Sequence, residues 1–337
     1  MTWLGELGAT SPVVAAPMAG GPTTPALVLA AASAGSLGFL AGGYLSAEAL
    51  GEQLDAVRRE TGLYGVNLFA PNPVPVDREE YAAYRDRIRP EAARYDVELP
   101  AGPVEDDDAW HDKVALLVRH PAPVVSFTFG IPDTESLAAL RAVGSRLVQT
   151  VTNADEARRA DEAGVDALVV QASAAGGHSG TLTPATTPPD LPLPDLLAEV
   201  RAAVDLPLLG AGGIASAGDV RRTLAAGADA AVVGTALLLA DEAGTSGAHR
   251  AGLLDHDRET AVMRAWTGRP ARGLRNAFSD AHDAAAPLGY PALHHLTRPI
   301  RRAAAARTDP EGVNLWAGTG FRTARRAPAA EILHELA

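Results

Sequence analysis

The stretch Leu206-Pro207-Leu208-Leu209-Gly210-Ala211-Gly212-Gly213-Ile214-Ala215-Ser216-Ala217-Gly218-Asp219 joins three signals in fourteen residues. An apolar run ends in paired glycines, and a serine followed three residues later by an aspartate then opens a helical period. This reads as a strand, a tight turn and a capped helix start. The run is continuous rather than alternating, as a parallel strand buried on both faces requires. The same unit recurs in both directions along the chain. Strands are predicted at residues 12–18, 37–42, 64–69, 123–129, 146–151, 167–172, 206–211 and 230–234. Ser46 and Asn153 stand ahead of helical periods as Ser216 does. Eight βα units favour a closed (β/α)8 TIM barrel over an open doubly wound sheet, which usually has fewer strands.

Two segments break the repeat. Residues 72–110 are polar and Pro-edged, with a helical period near 78–89, and read as a small, mainly helical insertion after the third strand. Its run Glu105-Asp106-Asp107-Asp108 is read as a solvated loop rather than a metal site, and no metal is expected. Beyond residue 245 the chain holds the last barrel helix and a helical C-terminal extension. The barrel with this extension is therefore assigned to residues 1–71 and 111–337.

Composition removes several function classes. The net charge of −12 is spread along the 337 residues, which argues against nucleic-acid or anionic-membrane partners. The absence of cysteine excludes disulfides, thiolate metal sites and cysteine nucleophiles. No apolar run is long enough to span a membrane, and Met1-Thr2-Trp3-Leu4-Gly5-Glu6 lacks a signal-peptide pattern, so a soluble cytoplasmic protein is expected.

Active sites of such barrels lie at the C-terminal ends of the strands. The first strand ends in Pro17-Met18-Ala19-Gly20-Gly21, small residues that let a flat ligand approach the backbone. The third carries Asn67 inside an apolar run, where its amide must find a partner. The sixth ends at Gln171 and leads into Ala174-Ala175-Gly176-Gly177-His178, an imidazole beside paired glycines that expose N–H groups. The other eight histidines (His111, His120, His249, His256, His282, His294, His295 and His334) are read as structural. Gly212-Gly213 after the seventh strand and Gly234-Thr235 after the eighth suit a phosphate monoester.

With these motifs the chain resembles the nitronate monooxygenases, formerly called 2-nitropropane dioxygenases. The likeness covers nearly the whole length, including Thr267-Gly268-Arg269-Pro270-Ala271-Arg272-Gly273 and Leu315-Trp316-Ala317-Gly318. It implies an FMN barrel, with Pro17, Met18, Ala19, Asn67 and Gln171 near the flavin. Gly176, Gly177, Gly212, Gly213, Gly234 and Thr235 would surround the phosphate and nearby ribityl chain. His178 would take the α-proton of a nitroalkane or stabilise the nitronate, and O2 would then yield a carbonyl compound and nitrite. A base titrating near neutrality suits that step. Ala174 and Val232 depart from the family by removing polar groups near the flavin. Tyr290-Pro291 could place an aromatic ring over the site, while Arg269 and Arg272 are read as structural.

Two rivals remain. Flavin-dependent enoyl-acyl-carrier-protein reductases share the Gly-Gly-His element but need NAD(P)H. A flavin-free sugar-phosphate isomerase would use the phosphate loops alone. A Schiff-base aldolase is nearly excluded, because the one lysine, Lys113, follows the insertion on a predicted helix.

Overall fold

The computed structural model describes residues 3–337; Met1 and Thr2 of the N-terminal stretch read above lie outside the described residues. Its barrel strands are β1 Val13–Ala15, β2 Gly38–Ala41, β3 Tyr64–Ala70, β4 Val124–Phe129, β5 Arg146–Val151 and β6 Ala167–Gln171. After a two-residue strand, β7 Gly177–His178, the barrel resumes with β8 Leu208–Ala211 and β9 Ala230–Val233. The order β1-β2-β3-β4-β5-β6-β8-β9 closes on itself through parallel pairing of Val13 with Ala231 and Ala15 with Val233. This is a (β/α)8 TIM barrel.

Each barrel strand feeds two cores, because neighbouring side chains point to opposite faces. Val14, Phe39, Val124, Val148 and Leu209 fill the interior together with Trp3 and Leu4. Val13, Leu40, Val66, Val125 and Leu147 face outward into the helix layer. The short helix Trp3–Glu6 closes the N-terminal end, where Glu6 meets Arg146 at the start of β5. The expected caps are present: Ser46, Asn153 and Ser216 accept from the N–H groups of Ala49, Glu156 and Asp219.

A further core joins the insertion to the C-terminal extension. Tyr81, Tyr84, Ile88 and Tyr95 pack with Leu293, Leu296 and Ile300 of the helix Ala292–Ala306. The insertion carries helices Arg78–Arg87 and Arg89–Arg94. The extension holds more than helices. β10 Thr260–Met263 and β11 Ala271–Leu274 form an antiparallel hairpin, and β11 pairs with β7, aligning Ala271 with His178. The hairpin escapes a reading of the sequence because four-residue strands leave little alternation to detect. Its consequence is local: His178 belongs to a small sheet instead of a free loop.

The acidic run divides in two. Glu105, Asp106 and Asp107 are exposed, and no metal-holding cluster occurs among the described residues. Asp108 instead accepts from Tyr44 N–H at 2.8 Å and from the buried Lys113 Nζ at 2.7 Å. No described helix is long and apolar enough to cross a membrane.

Candidate active site

The C-terminal ends of the barrel strands open into a cavity of about 760 Å³, within the size range of small-ligand sites. Pro17, Met18, Ala19, Asn67, Gln171, Gly176, Gly177, His178, Gly212, Gly213, Gly234 and Thr235 all line it. Tyr44 and Phe129, at the ends of β2 and β4, line it in left-handed backbone conformations, with φ of 67° and 84°. Such conformations cost free energy for bulky residues and collect at functional sites. Asp108 holds the Tyr44 N–H, and Asn72 Nδ2 donates to the Phe129 carbonyl at 2.8 Å.

One end of the cavity is a cradle of bare backbone donors. The N–H groups of Gly212, Gly213, Ile214 and Gly234 meet no protein acceptor among the described residues. Gly212 and Gly213 have φ of 114° and 73°, a region open mainly to glycine, which turns successive N–H groups toward one concavity. Gly176 is glycine for a different reason. A Cβ there would lie 2.5 Å from the Ala317 carbonyl carbon, so its bareness admits the tail loop. That loop is pinned by Gly318 N–H to Thr235 Oγ1 at 2.9 Å and Thr319 N–H to the Ala174 carbonyl at 3.1 Å. The phosphate of an FMN fits the bare N–H groups. Asn67 lines the same cavity: Nδ2 donates to Ser126 Oγ and Thr128 Oγ1, while Oδ1 accepts nothing among the described residues. Ala174 and Val232 line the cavity without adding a polar group.

Gln171 grips the turn that carries His178 from both sides. Its Nε2 donates to the His178 carbonyl at 3.1 Å, and its Oε1 accepts from Gly180 N–H at 2.7 Å. One N–H and one lone pair of the amide remain.

The His178 ring sits among Phe129, Tyr290 and Trp316, with centroids 5.5, 5.8 and 5.4 Å away. Its Nε2 lies 2.9 Å from Thr267 Oγ1, which donates onward to the Arg269 carbonyl at 3.4 Å. Where the hydroxyl proton is so directed, Nε2 carries the imidazole proton and Nδ1 keeps its lone pair, with no protein partner among the described residues. Burial first, and then the Arg269 and Arg301 charges, hold the His178 pKa down to about 3. This corrects the expectation of a group titrating near neutrality: the ring is neutral throughout the physiological range.

Arg269 is fully buried behind this wall. It donates to the Thr181 carbonyl, and its Cζ lies 4.2 Å over the Phe129 ring. Arg272 donates to the Ser173 carbonyl at 2.6 Å and to Thr260 Oγ1 at 3.1 Å, tying the hairpin to the loop after β6. Tyr290 touches the His178 ring from behind and does not line the cavity. Tyr44, Phe129, Thr267, His249, His294, Arg301 and Trp316 line the cavity without having been singled out individually as candidate site residues. Tyr44 and Phe129 stand at strand ends, which was the available signal. Nothing local marks His294, because the tail brings it there.

The family model for nitronate monooxygenase matches residues 2–337. The chain belongs to the nitronate monooxygenase family. As a member it is a flavin oxidoreductase, from a family that converts nitronates or nitroalkanes oxidatively. A probable nitronate monooxygenase of Staphylococcus aureus is 31% identical over 331 residues, covering 96% of this chain and 93% of that protein. A nitroalkane oxidase from Streptomyces ansochromogenes superposes with a TM-score of 0.93 at 44% identity, covering 99% of this chain and 96% of that one. FabK from Thermotoga maritima, at 22% identity and a TM-score of 0.76, covers 100% of this chain and 94% of its own, and shares the fold.

Proposed function

We propose that this enzyme uses FMN and O2 to oxidise alkyl nitronates, and nitroalkanes by way of their nitronates, to a carbonyl compound and nitrite. The observation that carries the reading is the juxtaposition, in one cavity, of a neutral imidazole with a free Nδ1 lone pair and a cradle of bare N–H groups. Gly212, Gly213, Ile214 and Gly234 would hold the FMN phosphate, with Asn67 Oδ1 accepting from the ring. When bound, FMN supplies one-electron oxidation of the nitronate and delivery of that electron to O2.

The chain's own residues handle the proton. With a neutral nitroalkane, His178 Nδ1 takes the α-proton, the electron pair of the C–H bond moves onto the nitro oxygens, and the nitronate charge so formed beside the ring offsets the cost of a buried imidazolium. Thr267 fixes the tautomer, and Gln171 and β11 fix the ring's position. With a preformed nitronate, that step is not required. Two nitronates and one O2 balance to two carbonyl compounds and two nitrites: each C–N bond breaks, and one oxygen atom bonds to each carbon. Phe129 and Trp316 pack against the ring of His178.

Comparing ethyl nitronate with NADH and NADPH, using the flavin-loaded protein, tests the reading. Nitronate-dependent oxygen uptake with nitrite release is expected. Rapid bleaching of the flavin by reduced nicotinamide, without nitronate turnover, would favour a reductase instead.

A further inference from the structure

His294 and Arg301 stand on the helix Ala292–Ala306, and both line the cavity. Arg301 Nη2 donates to the His294 carbonyl at 2.8 Å and to His294 Nδ1 at 3.3 Å. A guanidinium has donors only, so the second contact requires a lone pair on Nδ1 and puts the imidazole proton on Nε2. That N–H meets no acceptor among the described residues. The ring is held firmly, stacked 4.1 Å from Tyr44 at an angle of 4°. Tyr44 is in turn held by Asp108, whose charge Lys113 balances.

Arg301 spends its other donors on neutral groups, Thr297 Oγ1 at 3.2 Å and Asn314 Oδ1 at 3.4 Å. Neither Arg301 nor Arg269 forms a salt bridge with a carboxylate among the described residues, although the buried Glu156 charge acts on Arg269, and two donor nitrogens of Arg269 have no hydrogen-bond partner there. Arg301 faces the cavity half-buried with no carboxylate against it, and an anion in the cavity relieves the cost of that uncompensated charge. Burial lowers both arginines to about 10; the Glu156 carboxylate acts against that shift at Arg269, and no carboxylate does so at Arg301. The two imidazoles then have opposite character. His178 presents a lone pair and His294 an N–H, and the Tyr290 ring neighbours both, 5.8 Å from one and 6.4 Å from the other.

We propose that His294 Nε2–H and the Arg301 charge form an oxyanion site that binds the two oxygens of the nitronate and selects the deprotonated substrate over the neutral nitroalkane. His178 meets the carbon end of the substrate and His294 the oxygen end. The identity of the anion rests on the nitronate reading above; the existence of an anion site does not.

The test uses propionate, an inert planar anion, as the probe of the FMN-loaded enzyme. Its affinity is read by calorimetry and by competitive inhibition, beside KM for ethyl nitronate and for nitroethane. His294→Phe keeps a ring to stack on Tyr44 and removes the donor; Arg301→Met removes the charge. Each is expected to weaken propionate about 10- to 100-fold, the worth of one charge-assisted hydrogen bond. The ratio of nitronate KM to nitroethane KM should rise by about tenfold or more. His294→Gln, which restores an N–H, should recover most of the loss and serves in place of His294→Phe if that variant does not fold. Unchanged propionate affinity, or equal losses on both substrates, would overturn the proposal. If the wild type binds propionate but turns over neither substrate, the nitronate reading fails while the anion site stands.

Discussion

Replacing Thr267 by Val isolates the part of the site that sets the protonation pattern of His178. Thr267 is buried, 1% exposed, and its hydroxyl oxygen lies 2.9 Å from His178 Nε2. The substitution keeps the branched shape and deletes the acceptor. A hydrogen bond of this kind contributes about 0.5–1.5 kcal/mol, and leaving the Nε2–H buried without a partner adds about 1–3 kcal/mol. The ring can escape the second cost by moving its proton to Nδ1, which removes the lone pair from the cavity. Either way the barrier for proton abstraction rises by about 1.5–4.5 kcal/mol, or about 10- to 2000-fold in kcat/KM. The loss is bounded above by the whole contribution of a general base, about 10²–10⁴-fold. It should fall on nitroethane, whose α-proton must be removed, and largely spare ethyl nitronate. Thr267→Ser restores the hydroxyl and should restore the rate. Initial rates of oxygen uptake and nitrite release on both substrates, at matched flavin content, measure this. Full activity of Thr267→Val on nitroethane, or the same loss on both substrates, would refute the reasoning.

Two predictions concern stability. Lys113→Met leaves Asp108 without its partner, and removing one member of a buried ion pair costs about 3–5 kcal/mol. Asp108 keeps 15% side-chain exposure, so the loss should fall toward the lower end of that range in chemical denaturation; a change under about 1 kcal/mol would mean that water replaces the lysine. Acid should destabilise the fold before carboxylates protonate. His178 and His249 are held down to about 3 and about 4, mainly by burial, while an unfolded histidine takes up a proton near pH 6.5. The unfolded chain therefore binds more protons between about pH 6.5 and 4, and stability falls as pH falls through that window. From pH 7.5 to 5.5 each should cost about 1.4 kcal/mol, and a flat stability profile over that range would contradict the buried neutral state of these rings.

The barrel was legible because parallel strands buried on both faces leave unbroken apolar runs, and Ser46, Asn153 and Ser216 mark where the helices begin. Gly212 and Gly213 were legible for a related reason, since the turn that exposes their N–H groups is local. His178 was legible by position at a strand end, but its ionisation was not. Burial by the folded chain holds it neutral first, and the charges that add to this come from Arg269 and Arg301, roughly ninety and one hundred and twenty residues away in sequence. Asp108 looked like one more solvated acid in a run of four, and only the fold brings it to Tyr44. His294 looked like an ordinary helical residue, because its role depends on where the extension docks. Local pattern reports elements and turns; it is silent on which side chains long-range packing brings into one cavity.

The most direct test of the central claim is His178→Ala, loaded with FMN to the wild-type level and assayed with nitroethane for oxygen uptake and nitrite release. The wild type should release nitrite in step with oxygen consumption. The variant should lose about 10²–10⁴-fold in kcat/KM, as removal of a general base requires, while its flavin absorbance stays unchanged. An unchanged rate would take His178 out of the chemistry and contradict the account.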